Sequence, residues 1–168
     1  MQNKRWARLS SPVGTLLLQE VNGQLVGLTI IAPDDPVPAL EIAHSTLLTR
    51  AASQLEEYFA GRRKEFDLPL CVTTVTEFSL RVVQALCAVA YGETLTYGEL
   101  ATHAGSPRAA RAVGQVMAAN PVPIIIPCHR VLAAGGLAGG YSGGGGLQTK
   151  QWLLNFERTQ SSRKSAIP

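Results

Sequence analysis

The stretch Thr96–Arg130 reads TYGELATHAGSPRAARAVGQVMAANPVPIIIPCHR, and its punctuation decides the fold of the second half of the chain. Thr96 and Glu99 are spaced as a capping box, in which a hydroxyl and a carboxylate satisfy helix N–H groups that lack an intrahelical partner. A short helix is predicted from about Tyr97 to Ala104, closed by Gly105 in the left-handed C-terminal position. Ser106-Pro107 then supplies an N-cap and an N1 proline for a second helix, roughly Pro107 to Ala119. Two helices with almost no linker must turn sharply, as in a helix-turn-helix. The second carries Arg108 and Arg111 among Ala109, Ala110, Ala112, Gly114 and Ala118, so its backbone can approach a duplex closely; ordinary helix packing accounts for the same small residues equally well. Asn120-Pro121 ends it, because proline disfavours the helical conformation in the residue before it. The apolar, strand-like Ile124-Ile125-Ile126 delivers Pro127-Cys128-His129-Arg130 back beside the two helices. A thiol next to a DNA-reading element points to covalent chemistry on DNA.

Outward from this stretch, Thr15 to Val21 and Gln24 to Ile30 flank Asn22-Gly23, the strongest short signal for a two-residue hairpin, so an antiparallel sheet opens the chain. Pro33 to Pro38 reads as an exposed loop. Ala39 to Ala60 places Leu40, Ala43, Leu47, Ala51, Leu55 and Tyr58 at helical intervals ahead of Gly61, which predicts a helix packed on that sheet. Gly61 to Thr76 returns as a strand, clearest over Phe66 to Leu70, and a connection; Arg62-Arg63-Lys64 reads as a solvated loop face. Phe78, Val82, Leu86 and Val89 predict a helix from Phe78 to Val89. The polar tail from Thr159 to Pro168 is expected to be flexible. The chain thus divides into an α/β domain with its connection over 1–75, a second domain over 76–160 and a tail over 161–168.

With 46% hydrophobic residues among 168, the chain can build one medium core or two small ones, which excludes a disordered class. Its net charge of +3 divides unevenly. Residues 1–75 hold seven Lys/Arg against eight Asp/Glu, and residues 76–168 hold eight against four. A basic second half suits phosphate contact, although many domains of that charge never touch nucleic acid. Three cysteines without paired spacing read as reduced thiols, with Cys71 and Cys87 expected to be buried and structural. No stretch approaches the length of a membrane span, and no apolar N-terminal run precedes a cleavage site. A soluble cytoplasmic protein, or a nuclear one in a eukaryotic cell, with no membrane partner is expected.

Arg111-Ala112-Val113-Gly114, Asn120-Pro121, Ile126-Pro127-Cys128-His129-Arg130-Val131 and Gly140-Tyr141-Ser142-Gly143-Gly144 stand in the order seen in the O6-alkylguanine-DNA alkyltransferases. The chain resembles that family from roughly Phe78 to Glu157, and more weakly earlier, at Tyr58-Phe59-Ala60-Gly61. The resemblance implies a small ribonuclease-H-like α/β domain followed by a mainly helical domain with a helix-turn-helix. It implies direct-reversal repair in a single turnover: a methyl or other small alkyl group passes irreversibly from guanine O6 in double-stranded DNA to Cys128, with thymine O4 as a second candidate. It further implies a monomer that docks through the minor groove and needs no cofactor.

Residue roles follow from the same resemblance. Cys128 passes its proton through a water to His129, and Glu157 orients the imidazole. Tyr97 donates to guanine N3, and the carbonyls of Cys128 and Val131 accept from the exocyclic amine. Tyr141 walls the pocket, the Ser142 N–H reaches O6, and Lys150 stands near the site. Asn120 bridges the recognition helix and the Cys128 segment. Arg111 enters the base stack in place of the flipped nucleotide, and Ala109, Ala110 and Gly114 keep the helix surface low; apart from the resemblance, the basic charge of the second half makes Arg108 a phosphate contact. Arg130 reads as a structural part of the motif. The sequence departs from the family pattern in the interval Tyr141 to Lys150, which is two residues longer through Gly143 to Gly146; a rim without fixed side chains is expected to admit bulkier alkyl groups. Some relatives hold zinc in the first domain, but residues 1–70 have no cysteine and only His44, so no metal is expected.

The chemistry itself selects a thiol. Removing an alkyl group from an aromatic ether is a displacement at carbon, for which thiolate is a good nucleophile and serine a poor one. A free cysteine is mostly protonated at neutral pH, so the site must lower its pKa or supply a base. Adjacent residues in an extended segment point oppositely, so His129 is not expected to touch Cys128 directly. Two other classes are open to test. A noncatalytic sensor of alkylated DNA would lack the acceptor thiol, and a cysteine hydrolase would draw nucleophile and base from separate segments and carry an oxyanion motif.

Overall fold

Asn22 and Gly23 both adopt positive φ, 50° and 76°, so the hairpin closes through a turn whose twist matches that of its strands. In the computed structural model, which describes residues 4–71 and 76–164 and, for Lys164, only the backbone, contacts group the chain into two units: Met1–Thr73 with Gly143–Gly145, and Thr74–Ser142 with Gly146–Pro168.

The first unit is a three-stranded antiparallel sheet in the order β1 (Lys4–Ser11), β2 (Gly14–Val21), β3 (Gln24–Ile31), with helix α1 (Thr46–Phe59) on one face. Leu48, Ala51, Leu55 and Tyr58 recur at helical spacing and are buried with Leu16 and Leu18 of β2. Strand β1 went unread in the sequence. The helix begins seven residues later than predicted, because the Ser45 side chain accepts from the Leu48 N–H and donates to the buried Glu20 carboxylate. Residues ahead of it run along the β1 edge instead, where Ile42 bridges Trp6 and the Ala43 N–H donates to the Trp6 carbonyl. The strand expected over Phe66 to Leu70 shrinks to one bridge, Leu70 to Leu25, since Gln54 holds Asp67 by two hydrogen bonds to its backbone. The end of that predicted connection, residues 72–75, lies outside the described residues.

The second unit comprises α2 (Glu77–Cys87), β4 (Leu95–Thr96), α3 (Tyr97–His103), α4 (Ala110–Ala118), β5 (Val131–Leu132) and α5 (Leu147–Lys164). The capping box forms: Thr96 accepts from the Glu99 N–H, and Glu99 accepts from the Thr96 N–H. Helix α4 starts at Ala110 rather than Pro107, with no side-chain cap. The reason is that Ser106 belongs to the end of α3: its N–H reaches the Ala101 carbonyl while Gly105 N–H reaches Thr102, a Schellman closure. Cys87 is exposed and Cys71 half-buried, contrary to the expectation for both. Cys87 follows the buried Leu86 and so turns off the face that α2 packs. Ile124 to Ile126 form a turn rather than a strand, with Ile124 at φ 74° and Ile126 N–H on the Val122 carbonyl. Prolines 121, 123 and 127 bring no N–H to a ladder. Helix α5 continues through the expected tail as far as Lys164; residues 165–168 lie outside the described residues. Among the described residues no helix is long and apolar enough to cross a membrane.

Candidate active site

Strands β4 and β5 pair in parallel, Leu95 opposite Val131 and Thr96 opposite Leu132, so they fasten the start of α3 to the segment that follows Cys128. Tyr97 and Cys128 are thereby brought to one cavity of about 440 Å³, whose other walls are Gly114, Met117 and Ala118 of α4 and the loop Gly140, Tyr141, Ser142. Exposed Arg111 lies three positions before Gly114 and seven before Ala118, hence on the α4 face that walls this cavity. Arg108, also exposed, sits in the turn before α4 with Ala109; Ala110 opens the helix. These three do not line the cavity.

Cys128, His129 and Arg130 form a single 3₁₀ turn, not the extended segment read from the sequence. The turn is buried, with Cys128 7% and His129 0% exposed. Asn120 holds it from the end of α4: its side-chain amide donates to the Ile126 carbonyl at 2.8 Å, and its oxygen accepts from the Val122 N–H at 3.1 Å. Burial pushes the Cys128 thiol above its ordinary pKa; a hydrogen bond from Asn120, the Lys150 charge and the N–H groups of Cys128 and His129 oppose that rise.

Behind the thiol, His129 Nε2 lies 2.8 Å from Glu157 Oε1, and His129 Nδ1 is buried without a protein hydrogen-bond partner among the described residues. Glu157 also receives Arg130 Nε at 2.9 Å, Arg130 Nη2 at 3.0 Å and the Gly92 N–H at 3.1 Å. Burial by itself would raise the Glu157 pKa, but hydrogen bonds and charge from His129 and Arg130 outweigh it and hold the carboxyl at about 2. An ionised carboxylate can only accept, so the imidazole proton sits on Nε2 and Nδ1 carries a lone pair. Burial also lowers the His129 pKa, favouring the neutral ring. Gly92 is required there: its φ is 81°, and a Cβ would come within 2.3 Å of Ser161 Oγ on α5.

Lys150 is fully buried, its Nζ 2.5 Å from the Val131 carbonyl, 3.5 Å from that of Gly140 and 5.9 Å from the centre of the Tyr97 ring. The Val131 carbonyl, expected to accept from a bound base, thus already accepts from Lys150, with one lone pair left. The Tyr141 hydroxyl is buried without a hydrogen-bond partner among the described residues. Burial first and the nearby Cys128 second raise the pKa of both Tyr97 and Tyr141, so both remain protonated donors.

Of the residues anticipated, Tyr97, Gly114, Cys128, Tyr141 and Ser142 surround the cavity, while His129, Glu157, Asn120, Val131 and Lys150 support its floor. Met117 and Ala118 were missed, although they follow Gly114 at helical intervals. Arg130 was read only as structural, and Gly92 carried no signal, because its N–H is recruited by a carboxylate 65 positions away. Among the described residues no cluster of His, Cys, Asp or Glu could hold a metal ion.

Two family models match the chain: the ribonuclease-like domain of 6-O-methylguanine DNA methyltransferase over residues 4–72, and the DNA binding domain of the same family over residues 77–159. A methylated-DNA–protein-cysteine methyltransferase of Mycobacterium leprae is 43% identical, covering 90% of this chain and 91% of that one. A constitutive methylated-DNA–protein-cysteine methyltransferase of Bacillus subtilis is 38% identical, covering 92% and 95%. The crystal structure of Mycobacterium tuberculosis OGT in complex with DNA superposes with a TM-score of 0.79 at 38% identity, over 93% of this chain and 94% of that one. The mixed α/β architecture, the two matched domains and identities near 40% over nearly the whole length agree: the chain belongs to the 6-O-methylguanine DNA methyltransferase family.

Proposed function

We propose that Cys128 accepts a methyl or other small alkyl group from O6-alkylguanine held in the 440 Å³ cavity, once per molecule. The family activity, transfer from methylated DNA to a protein cysteine, is the activity of this chain, and DNA is its partner. The observation that carries the residue-level reading is the pairing of a buried thiol that opens into the cavity with a buried imidazole whose Nε2 is tied to Glu157 and whose Nδ1 is left as an acceptor. Sulfur attacks the alkyl carbon, the carbon–O6 bond breaks, and its electron pair passes to the guanine. The thiol proton moves through a water to His129 Nδ1; the imidazolium then gives it up to solvent as the guanine anion takes one up, so thiol and O6-alkylguanine become thioether and guanine with no net change in charge. Tyr97, a protonated phenol, donates to guanine N3 as charge builds there; Tyr141 walls the alkyl group, and the Ser142 N–H faces O6. The displacement consumes no cofactor, because guanine itself is the leaving group.

A base in a duplex hides its O6, so the nucleotide must be flipped out at a cost of a few kcal/mol. Arg111 fills the vacancy from the minor groove, where the low surface of Ala109, Ala110 and Gly114 fits, and Arg108 contacts phosphate. The protein acts as a monomer in the compartment that holds its DNA, the cytoplasm or, in a eukaryotic cell, the nucleus. O4-alkylthymine is a second substrate of the same pocket.

The test is the protein's mass after incubation with a duplex carrying one O6-methylguanine. A permanent gain of one methyl in place of hydrogen, mapped to the Cys128 peptide and abolished in Cys128→Ala while damaged-duplex binding persists, is expected. A regenerated thiol would mean a hydrolase, an unchanged mass a sensor, and label on Cys71 or Cys87 would remove Cys128 from its role.

A further inference from the structure

Arg130 makes no contact with the cavity, yet its guanidinium is spent almost entirely on one carboxylate. Nε and Nη2 grip the two oxygens of Glu157 at 2.9 and 3.0 Å, Nη1 donates to the Val89 carbonyl at 2.7 Å, and the guanidinium carbon lies 5.7 Å from the centre of the Tyr91 ring. Arg130 is 6% exposed and Glu157 1%, so neither charge is answered by solvent. The Gly92 N–H lies on Oε2, and His129 Nε2 lies 2.8 Å from Oε1, the oxygen that Arg130 Nη2 also holds.

We propose that Arg130 is a positioning residue of the alkyl-transfer relay: its fork fixes the Glu157 carboxylate on His129 Nε2 and cancels its charge, so that the imidazole stays neutral and offers Nδ1 toward Cys128. This deepens the relay reading and rests on it. A lone buried carboxylate would stabilise imidazolium and trap the proton on His129; a carboxylate already paired with a guanidinium orients the ring without holding the proton. The other charged or titratable groups around the pair are Lys150, which also disfavours imidazolium, Cys128 beside the ring, and Tyr91 and Cys87, both near Arg130. Burial lowers the His129 pKa first, Glu157 opposes that, and Arg130 and Lys150 add to it.

The experiment is an ¹⁵N chemical-shift titration of the His129 imidazole in the full-length protein, alongside the pH profile of single-turnover transfer. Wild type should show the Nε2–H tautomer, still neutral below the ordinary imidazole midpoint of about 6.5. Arg130→Gln keeps a donor but removes the charge, and should raise the midpoint by about one pH unit or more, carrying the acid limb of the rate profile with it. Arg130→Lys, which restores charge without the fork, should return the midpoint toward wild type. A wild-type His129 that titrates near 6.5, or as the Nδ1–H tautomer, overturns the proposal, and that measurement stands even if Arg130→Gln does not fold. An unchanged midpoint in Arg130→Gln also overturns it. If His129→Gln transfers at the wild-type rate, the relay itself is wrong; if that variant is inactive while Arg130→Gln leaves the midpoint in place, only the role of Arg130 falls.

Discussion

Asn120→Ala tests whether one side chain holds the nucleophile's turn in place. The substitution strips the Val122 N–H of its partner at 0% residue exposure, where water cannot take over, and removes one of two donors from the Ile126 carbonyl, which keeps the Cys128 N–H at 2.8 Å. The orphaned N–H costs about 1–3 kcal/mol and the lost second hydrogen bond about 0.5–1.5 kcal/mol, so the loss should reach about 1.5–4.5 kcal/mol, a large part of the roughly 5–15 kcal/mol that a domain has. The turn also holds Ile124 at φ 74°, a conformation that costs a β-branched residue about 1–3 kcal/mol and persists only where its surroundings enforce it. Without Asn120 the turn can relax, and Cys128, two residues past Ile126, moves with it. The thiol further loses a hydrogen bond that opposes its burial, so transfer should slow more than partial unfolding explains. Urea unfolding with its slope, and single-turnover transfer measured where the variant is folded, give the two quantities. Asn120→Asp retains the acceptor for Val122 but sets an anion against the Ile126 carbonyl and the thiol, so its rate should fall further. A loss below about 0.5 kcal/mol with an unchanged slope, or wild-type transfer by the alanine variant, would refute the reasoning.

Three other outcomes are expected. Arg111→Ala should slow repair of duplex DNA much more than reaction with free O6-benzylguanine, which needs no flipping; equal losses would make Arg111 structural. Binding to undamaged duplexes should be sequence-tolerant and fall steeply with salt, with Arg108→Ala weakening all duplexes about equally and Ala110→Leu obstructing approach without touching free-base transfer; affinities for unrelated duplexes over a salt series check this. Stability should fall in acid. Glu157, held at about 2 when folded and near 4.3 when unfolded, stabilises above the unfolded value and loses about 3 kcal/mol as pH falls from about 5 toward 2, and His129, buried neutral, adds a loss beginning below about 6.5. Urea midpoints from pH 7 to 3 that stay level would contradict both assignments.

What the sequence disclosed follows from how local each interaction is. The Asn22-Gly23 hairpin, the Thr96–Glu99 capping box and the Gly105 closure are settled within four or five residues, and all are legible. The start of α1 was not, because Ser45 is fixed partly by Glu20, 25 positions earlier, and apolar residues at 40 and 43 imitate helical spacing although Ile42 and Ala43 pair with Trp6 of β1. The α4 start was misplaced because Ser106-Pro107 carries two legitimate readings, and the closure of α3 claims the serine. The site divides the same way. Cys128, His129 and Tyr97 sit in recognisable local motifs, whereas the grip of Arg130 and Gly92 on Glu157 joins three distant segments and exists only in the fold.

Burial and reactivity pull Cys128 in opposite directions, and on the proposed reading that opposition is useful. At 7% exposure and with its pKa raised, the thiol is largely protonated in the resting protein, which protects it from electrophiles in solution. The groups that favour its ionisation are already in place: the Asn120 amide, the Lys150 charge and two backbone N–H groups. What these groups do not supply is somewhere for the displaced charge to go. An alkylated guanine supplies it, because the electron pair released by the alkyl group settles on the base, where Tyr97, its pKa raised by burial, is a protonated donor at neutral pH. Selectivity then lies in the leaving group rather than in the nucleophile. A stronger resting thiolate would attack alkyl donors indiscriminately, and in a protein that acts once such a reaction would destroy the repair capacity it needs.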